Sequence, residues 1–232
     1  MTGGPASRYR CEDDARAALS DGLRRLRRAG LGGMTALAAL RWARSGSDGL
    51  LLAVGPPPGR GDRDGDHDPG DGSPVDDSPD DSVWVAMSSD RRIAGAATAA
   101  TTATATTTAA ALPTRLFRLR PQAAAMLLLD APHATALACV GRIQRDGIPP
   151  LLADVWLAGG RTIRCAVGGD AGIAAALVDR DACLVANRGL LAIGADLAAA
   201  AALARRVETI AAVYWRALQV GDTVALLDSP GE

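Results

Sequence analysis

Lysine is absent from the chain: all 25 basic residues among its 232 are arginine. Without a lysine amine there can be no Schiff base with a carbonyl substrate, so imine-type aldol chemistry and pyridoxal-phosphate catalysis are excluded. Histidine is nearly absent too, with only His67 and His133. The four cysteines, Cys11, Cys139, Cys165 and Cys183, show no C-x-x-C spacing. Cys139, Cys165 and Cys183 lie within apolar runs and read as buried thiols in a reducing compartment. No charge of one sign dominates, because the formal net charge is -1. No overall field therefore draws the chain to nucleic acid or to an anionic membrane. The first residues, MTGGPASRYRCEDD, contain no apolar core of a secretory signal. The longest apolar run, from Leu190 to Ala204, is interrupted by Asp196 and falls short of the roughly 18 to 20 residues of a membrane span. A cytoplasmic protein, from a GC-rich bacterial genome, is expected.

Close to half of the residues are apolar, enough for one α/β domain with a single core. Residues 13–29 have helical periodicity, with Ala15, Leu19, Leu23 and Leu26 on one face and Gly30 as the stop. GLLLAV (49–54) and SVWVAM (82–87) read as strands. Between them, residues 61–82 are Asp, Gly, Pro and Ser with almost nothing to bury, and read as a flexible acidic insertion. Asp62, Asp64 and Asp66 alternate like the start of a calcium loop, but His67 stands where the sharp turn needs glycine and no bidentate glutamate follows. The tract from about 96 to 111 is Ala and Thr and reads as a low-complexity connector. LPTRLFRLRP then suggests a helix stopped at Pro121, AAAMLLLD a buried strand ending at Asp130, and HATALACVG a short helix. RTIRCAV (161–167) and ACLVAN (182–187) are further strands around a helical AGIAAALVD. The last helix is the clearest: Asp196 caps it, Leu203, Val207, Ile210, Tyr214 and Leu218 form its stripe, and Gly221 ends it.

From Leu112 onward the order of elements resembles the class II aldolase and adducin head domain family. RPQAAAMLLLDAPHATALACVG, GIPPLLADVWLAGGRTIRCAV and ACLVANRGLLAIGADLAAAAALARRVETIAAVYWRALQVG carry the likeness. The last segment is the most specific, with a strand, an N-x-G turn, a second strand and a helix bearing Val207 and Glu208 in fixed register. Residues 13–59 resemble the family's N-terminal third more loosely. The resemblance implies a single three-layer α/β domain, with a central, mostly antiparallel sheet flanked by helices, in a ring-like homo-oligomer, commonly a tetramer.

In that family a divalent metal, usually zinc, is held by a His-x-His pair at a strand end and a third His in the N-x-G turn. It stabilises the enediolate of carbon–carbon cleavage while a Glu moves protons. Carried over, the His-x-His positions fall on Leu128 and Asp130 and the third on Arg188. The catalytic Glu falls near Ala109, and the phosphate loop near Ala36, Leu37 and Ala39. Leucine has no donor atom, arginine is a permanent cation, and two histidines cannot make a tri-histidine site. Neither a metal nor another cofactor is therefore expected. The remaining candidates are Asp130 and His133 as an acid/base pair, and Arg188, Asp130 and His133 as binders of a small anionic metabolite. Each also has a plainer reading: His133 as a residue packed at a helix start, and Arg188 as the partner of Asp130 in an ion pair filling the old metal volume. Trp156, Tyr214 and Trp215 read as packing residues. Two functions stay open. One is a non-catalytic member kept for assembly or ligand binding; the other is a metal-independent lyase, isomerase or cyclase using the same cleft.

Overall fold

The structure is a computed structural model that describes residues 9, 11–31, 37–44, 47–54, 83–88, 92–93, 101–221 and 223–228. The acidic insertion expected at 61–82 lies outside the described residues. The elements in chain order are α1 (Glu12–Arg28), β1 (Leu37–Arg44), β2 (Ser47–Val54), β3 (Val83–Ser88), β4 (Arg92–Ile93), α2 (Thr101–Leu119), β5 (Ala125–Leu129) and α3 (Pro132–Ala138). They continue with α4 (Gly141–Asp146), α5 (Asp154–Gly159), β6 (Cys165–Ala166), α6 (Gly169–Ala176), β7 (Ala182–Val185), β8 (Gly189–Gly194) and α7 (Leu197–Val220).

The described strands form one sheet of eight in the order β4-β3-β2-β1-β5-β8-β7-β6. All neighbours pair antiparallel except β6 and β7. β5 lies inside the sheet, and all five of its residues are buried. Its alternate side chains feed two cores, because successive residues of a strand point to opposite faces. Leu127 and Leu129 join one cluster with Leu19 and Leu23 of α1, Leu137 of α3 and Val207 and Ile210 of α7. Met126 and Leu128 join the other, with Leu116 and Phe117 of α2 and Ile173 of α6. This is the three-layer arrangement expected, with helices on both faces of a mostly antiparallel sheet.

Several elements differ from the periodicity reading. β1 has no clear alternation, since Leu37, Ala38, Ala39 and Leu40 are all buried; a strand covered on both faces loses the two-residue pattern that marks a half-exposed one. The Ala/Thr tract read as a connector is helical from Thr101 onward. Alanine's helix propensity suits that state, and the helix is anchored by Ala110, Leu112 and Leu116 against the sheet. The strand expected over 161–167 shrinks to β6 and one isolated bridge between Ile148 and Ile163. α7 follows expectation: the Asp196 side chain accepts the Ala199 N–H at 2.8 Å, and Gly221 closes the helix at φ +80°.

Candidate functional site

The centre of interest is the C-terminal end of β5, where Asp130 leaves the sheet and α3 begins two residues later. The N-cap of α3 is Ala131, whose side chain cannot accept a hydrogen bond, and Pro132 follows it. Glu208, projecting from the middle of α7, supplies what Ala131 lacks. One carboxylate oxygen accepts the backbone N–H of His133 at 2.9 Å, and the other accepts that of Ala134 at 2.9 Å. The first oxygen also lies 2.8 Å from Nδ1 of the His133 ring. A single carboxylate thus satisfies two otherwise unpaired amides at the positive end of α3 and orients an imidazole. A carboxylate can only accept, so the proton on that contact belongs to Nδ1, and Nε2 is the nitrogen left for other partners. The Glu208 side chain is 13% exposed and that of His133 32%, so the carboxylate is enclosed while the imidazole meets solvent. Within the same turn, Thr135 Oγ1 accepts the Ala131 N–H at 3.1 Å.

Opposite this end stands the turn between β7 and β8. Asn187 takes a left-handed conformation at φ 56°, and the Arg188 N–H closes the turn on the Val185 carbonyl at 3.0 Å. The Asn187 N–H is tied to the Ala138 carbonyl of α3 at 3.2 Å, while the Gln144 amide donates to that same carbonyl at 2.8 Å. Gly189 follows at φ +137°; a Cβ there would stand 2.2 Å from the Leu129 carbonyl oxygen. The turn therefore abuts the end of β5 backbone to backbone, and only glycine permits the approach.

The structure brings Asp130, His133 and Arg188 to one end of the sheet but does not pair them as the sequence suggested. His133 is engaged by Glu208, not Asp130. Asp130 and Arg188 form neither an ion pair nor a side-chain hydrogen bond with each other, and neither side chain has another such partner among the described residues. Asp130 is half-buried at the strand end, whereas Arg188 is exposed on the turn. The expected direct replacement of a metal by an ion pair is thus corrected: the long guanidinium stem remains in water, where an exposed pair gains little. Leu128 is fully buried in the apolar cluster beneath. As donors for the zinc that the family resemblance implies, a buried leucine, one carboxylate and a guanidinium do not fit. No group of three His, Cys, Asp or Glu able to hold a metal ion is found among the described residues. Glu208 is the functional contact that sequence reasoning missed. Its signal was present in the fixed Val207-Glu208 word, but its partner lies 75 positions away.

The other singled-out residues are placed as follows. Tyr214 is buried in the core, Trp156 is half-buried with its indole N–H lacking a partner among the described residues, and Trp215 is 38% exposed. Of the cysteines, Cys183 is buried, Cys11 and Cys165 are partly buried, and Cys139 is exposed, so burial holds for only one of them in full. Burial pushes the Cys183 thiol up to about 12 and the Cys165 thiol up to about 11, with the neighbouring thiols adding to both.

Residues 76–215 match the profile of the class II aldolase and adducin N-terminal domain. The chain belongs to that family. A 5-methylthioribulose-1-phosphate/5-deoxyribulose-1-phosphate aldolase of Rhodospirillum rubrum is 40% identical over 110 residues, 44% of this chain and 48% of the relative. L-fuculose phosphate aldolase of Escherichia coli strain K12 is 33% identical over 118 residues, 48% of this chain and 53% of the relative. The chain spans about half the length of the curated relatives it matches. Among solved structures, an L-fuculose 1-phosphate aldolase superposes with a TM-score of 0.64 at 21% identity, covering 95% of this chain and 93% of its own. A sugar-phosphate aldolase from Thermotoga maritima gives 0.58 at 14%, covering 90% and 98%. At such identities the superpositions establish the shared fold. No described helix is long and apolar enough to cross a membrane.

Proposed function

We propose that this family member works without a metal and binds a small anionic metabolite at the end of β5, as a non-catalytic homo-oligomer. The observation that carries the reading is Arg188: the turn that bears it abuts the end of β5, and its exposed side chain has no protein partner among the described residues. A guanidinium so placed offers a planar fork for a carboxylate or phosphate. Asp130, equally unpartnered, serves a hydroxyl of the same ligand, and His133 presents Nε2 from a ring fixed by Glu208. Leu128 supports the metal-free half of the reading, because an apolar side chain fills the place the family resemblance gives to a ligand.

The test joins elemental analysis to binding. The purified protein is titrated by calorimetry with L-fuculose 1-phosphate, 5-methylthioribulose 1-phosphate and inorganic phosphate, with and without added zinc, while products are followed by mass spectrometry. The expected result is no stoichiometric metal, no carbon–carbon cleavage, and one anion-binding site that is lost in Arg188→Gln. About one metal per chain together with cleavage of a sugar phosphate overturns the reading. Light scattering checks the assembly: a monomer at micromolar concentration removes that part.

The His133 and Glu208 contact favours a second reading, a metal-independent lyase, isomerase or cyclase in which Nε2 of His133 takes a proton from the bound metabolite. A carboxylate on Nδ1 both fixes the tautomer and stabilises the imidazolium that forms. Turnover of an anionic substrate in metal-free buffer, lost in His133→Gln while binding persists, selects it over the first.

A further inference from the structure

A groove of about 520 Å³ lies at the outer edge of the sheet, on the far side of β8 and β7 from β5, between α4 and α6. Its lining includes Gln144, Arg145 and Asp146 from the end of α4, Thr162 and Arg164 from the segment leading into β6, Cys165 of β6 itself, and Ala175 from α6. It is open to solvent on one side and has room for a small metabolite against its wall. Among the described strands β6 pairs on one side only: the Leu184 N–H bonds the Arg164 carbonyl and the Ala186 N–H the Ala166 carbonyl. Strand alternation then directs the N–H and C=O of Cys165 away from β7, toward the open edge.

The cations around this edge differ in their commitments. Arg180 is buried and fully used, donating to Asp179 and to the Thr162 carbonyl. Arg164 is bound to the same Asp179 at 2.9 Å. Asp179 is held down to about 2, chiefly by its hydrogen bond from Arg180 and then by the charges of Arg180 and Arg164, so it remains a carboxylate. Arg145 has no such counterion or hydrogen-bond acceptor among the described residues. On the far wall the segment after β6 folds tightly against the start of α6: a Cβ on Gly172 would lie 1.9 Å from the Val167 carbonyl oxygen. Cys165, with its thiol pushed up to about 11, is a neutral floor at physiological pH and not a ready nucleophile.

We propose that this groove is a second ligand site, which takes the oxyanion group of a small organic anion. Arg145 supplies the charge, the outward Cys165 N–H supplies a donor, and Ala175 and Ala176 cover the ligand's carbon skeleton. Asp146 and the Cys165 carbonyl favour a ligand that also carries a hydroxyl or amine. The site is distinct from the one at β5, although Gln144 on its rim also bonds the Ala138 carbonyl and the Asn187 side chain of that end.

Cys165 gives a local readout. The protein is alkylated with excess iodoacetamide over hours at about pH 9, where the small thiolate fraction of Cys165 still reacts, and modification of the Cys165 peptide is timed by mass spectrometry with inorganic phosphate, glycerol 3-phosphate or lactate present. Saturable protection is expected, slowing alkylation about tenfold when the probe stands at about ten times its Kd. Phosphates acting alone identify a phosphate site, lactate acting alone a carboxylate site, and both acting together a general oxyanion site. Arg145→Ala should abolish protection, Ala175→Leu should block it by filling the groove, and Arg188→Gln should leave it intact. Absence of protection by every probe, or protection that survives Arg145→Ala, overturns the proposal. So does protection lost in Arg188→Gln, which would move the binding to the β5 end.

Discussion

Replacing Glu208 by alanine is the most direct perturbation of the candidate site. The carboxylate accepts two backbone amides and one imidazole proton, at 2.9, 2.9 and 2.8 Å. Loss of an ordinary N-cap acceptor costs about 1 kcal/mol, and hydrogen bonds to a charged acceptor contribute about 1.5 to 3 kcal/mol each before water takes over the freed groups. The site is 13% exposed at Glu208 and 32% at His133, so water recovers only part of the loss. These terms place Glu208→Ala at about 3 kcal/mol of destabilisation. For a chain of this size that lowers Tm by roughly 6 to 12 °C. Glu208→Gln keeps one accepting oxygen but turns its amide against a second N–H, so about half that loss is expected. A double-mutant cycle with His133→Ala should return a coupling of about 1 kcal/mol, since the side-chain contact is one of three. Calorimetric or denaturant melts at fixed protein concentration measure all four variants, the double mutant included, the fixed concentration removing any effect of assembly. A Tm drop under about 2 °C in Glu208→Ala would refute the reasoning, because a largely enclosed acceptor of three hydrogen bonds cannot be lost at so small a cost.

Two further outcomes follow from the geometry. Gly189→Ala places a Cβ against the Leu129 carbonyl at 2.2 Å and at φ +137°, so it should cost about 2 to 4 kcal/mol and displace Arg188 from the strand end; unchanged melting would show that the turn does not abut β5. Cys183 and Cys165 are held at about 12 and 11, above the ordinary thiol value of 9.0, so their neutral forms contribute stability that is intact below about pH 9 and lost as pH rises toward those values. Cys183→Ala should therefore show a smaller fall in Tm than the parent between about pH 8 and about pH 10.5, and equal falls would contradict the assignment.

Local order was legible in the residues themselves. The capped helix from Asp196 to Gly221, the apolar strand ending at Asp130 and the N-x-G turn at Asn187 are written in short-range signals: a side chain that caps, a run that must be buried, a backbone that turns left-handed. The absence of lysine and the count of two histidines likewise constrained the chemistry before any fold was known. β1 escaped because burial on both faces erases alternation, and the helical state of the Ala/Thr tract escaped because neither residue type marks a face. The pairing of side chains was decided by tertiary structure alone. His133 and Asp130 are three positions apart and invited a partnership, yet Glu208, 75 positions away, reaches His133 because α7 packs across the start of α3. Asp130 and Arg188 are set at one end of the sheet by β5 and the β7–β8 turn, but exposure leaves the guanidinium in water instead of closing the pair. Hydrogen bonds and ion pairs act over a few ångströms, and which groups come that close depends on the packing of whole elements, which no spacing along the chain encodes.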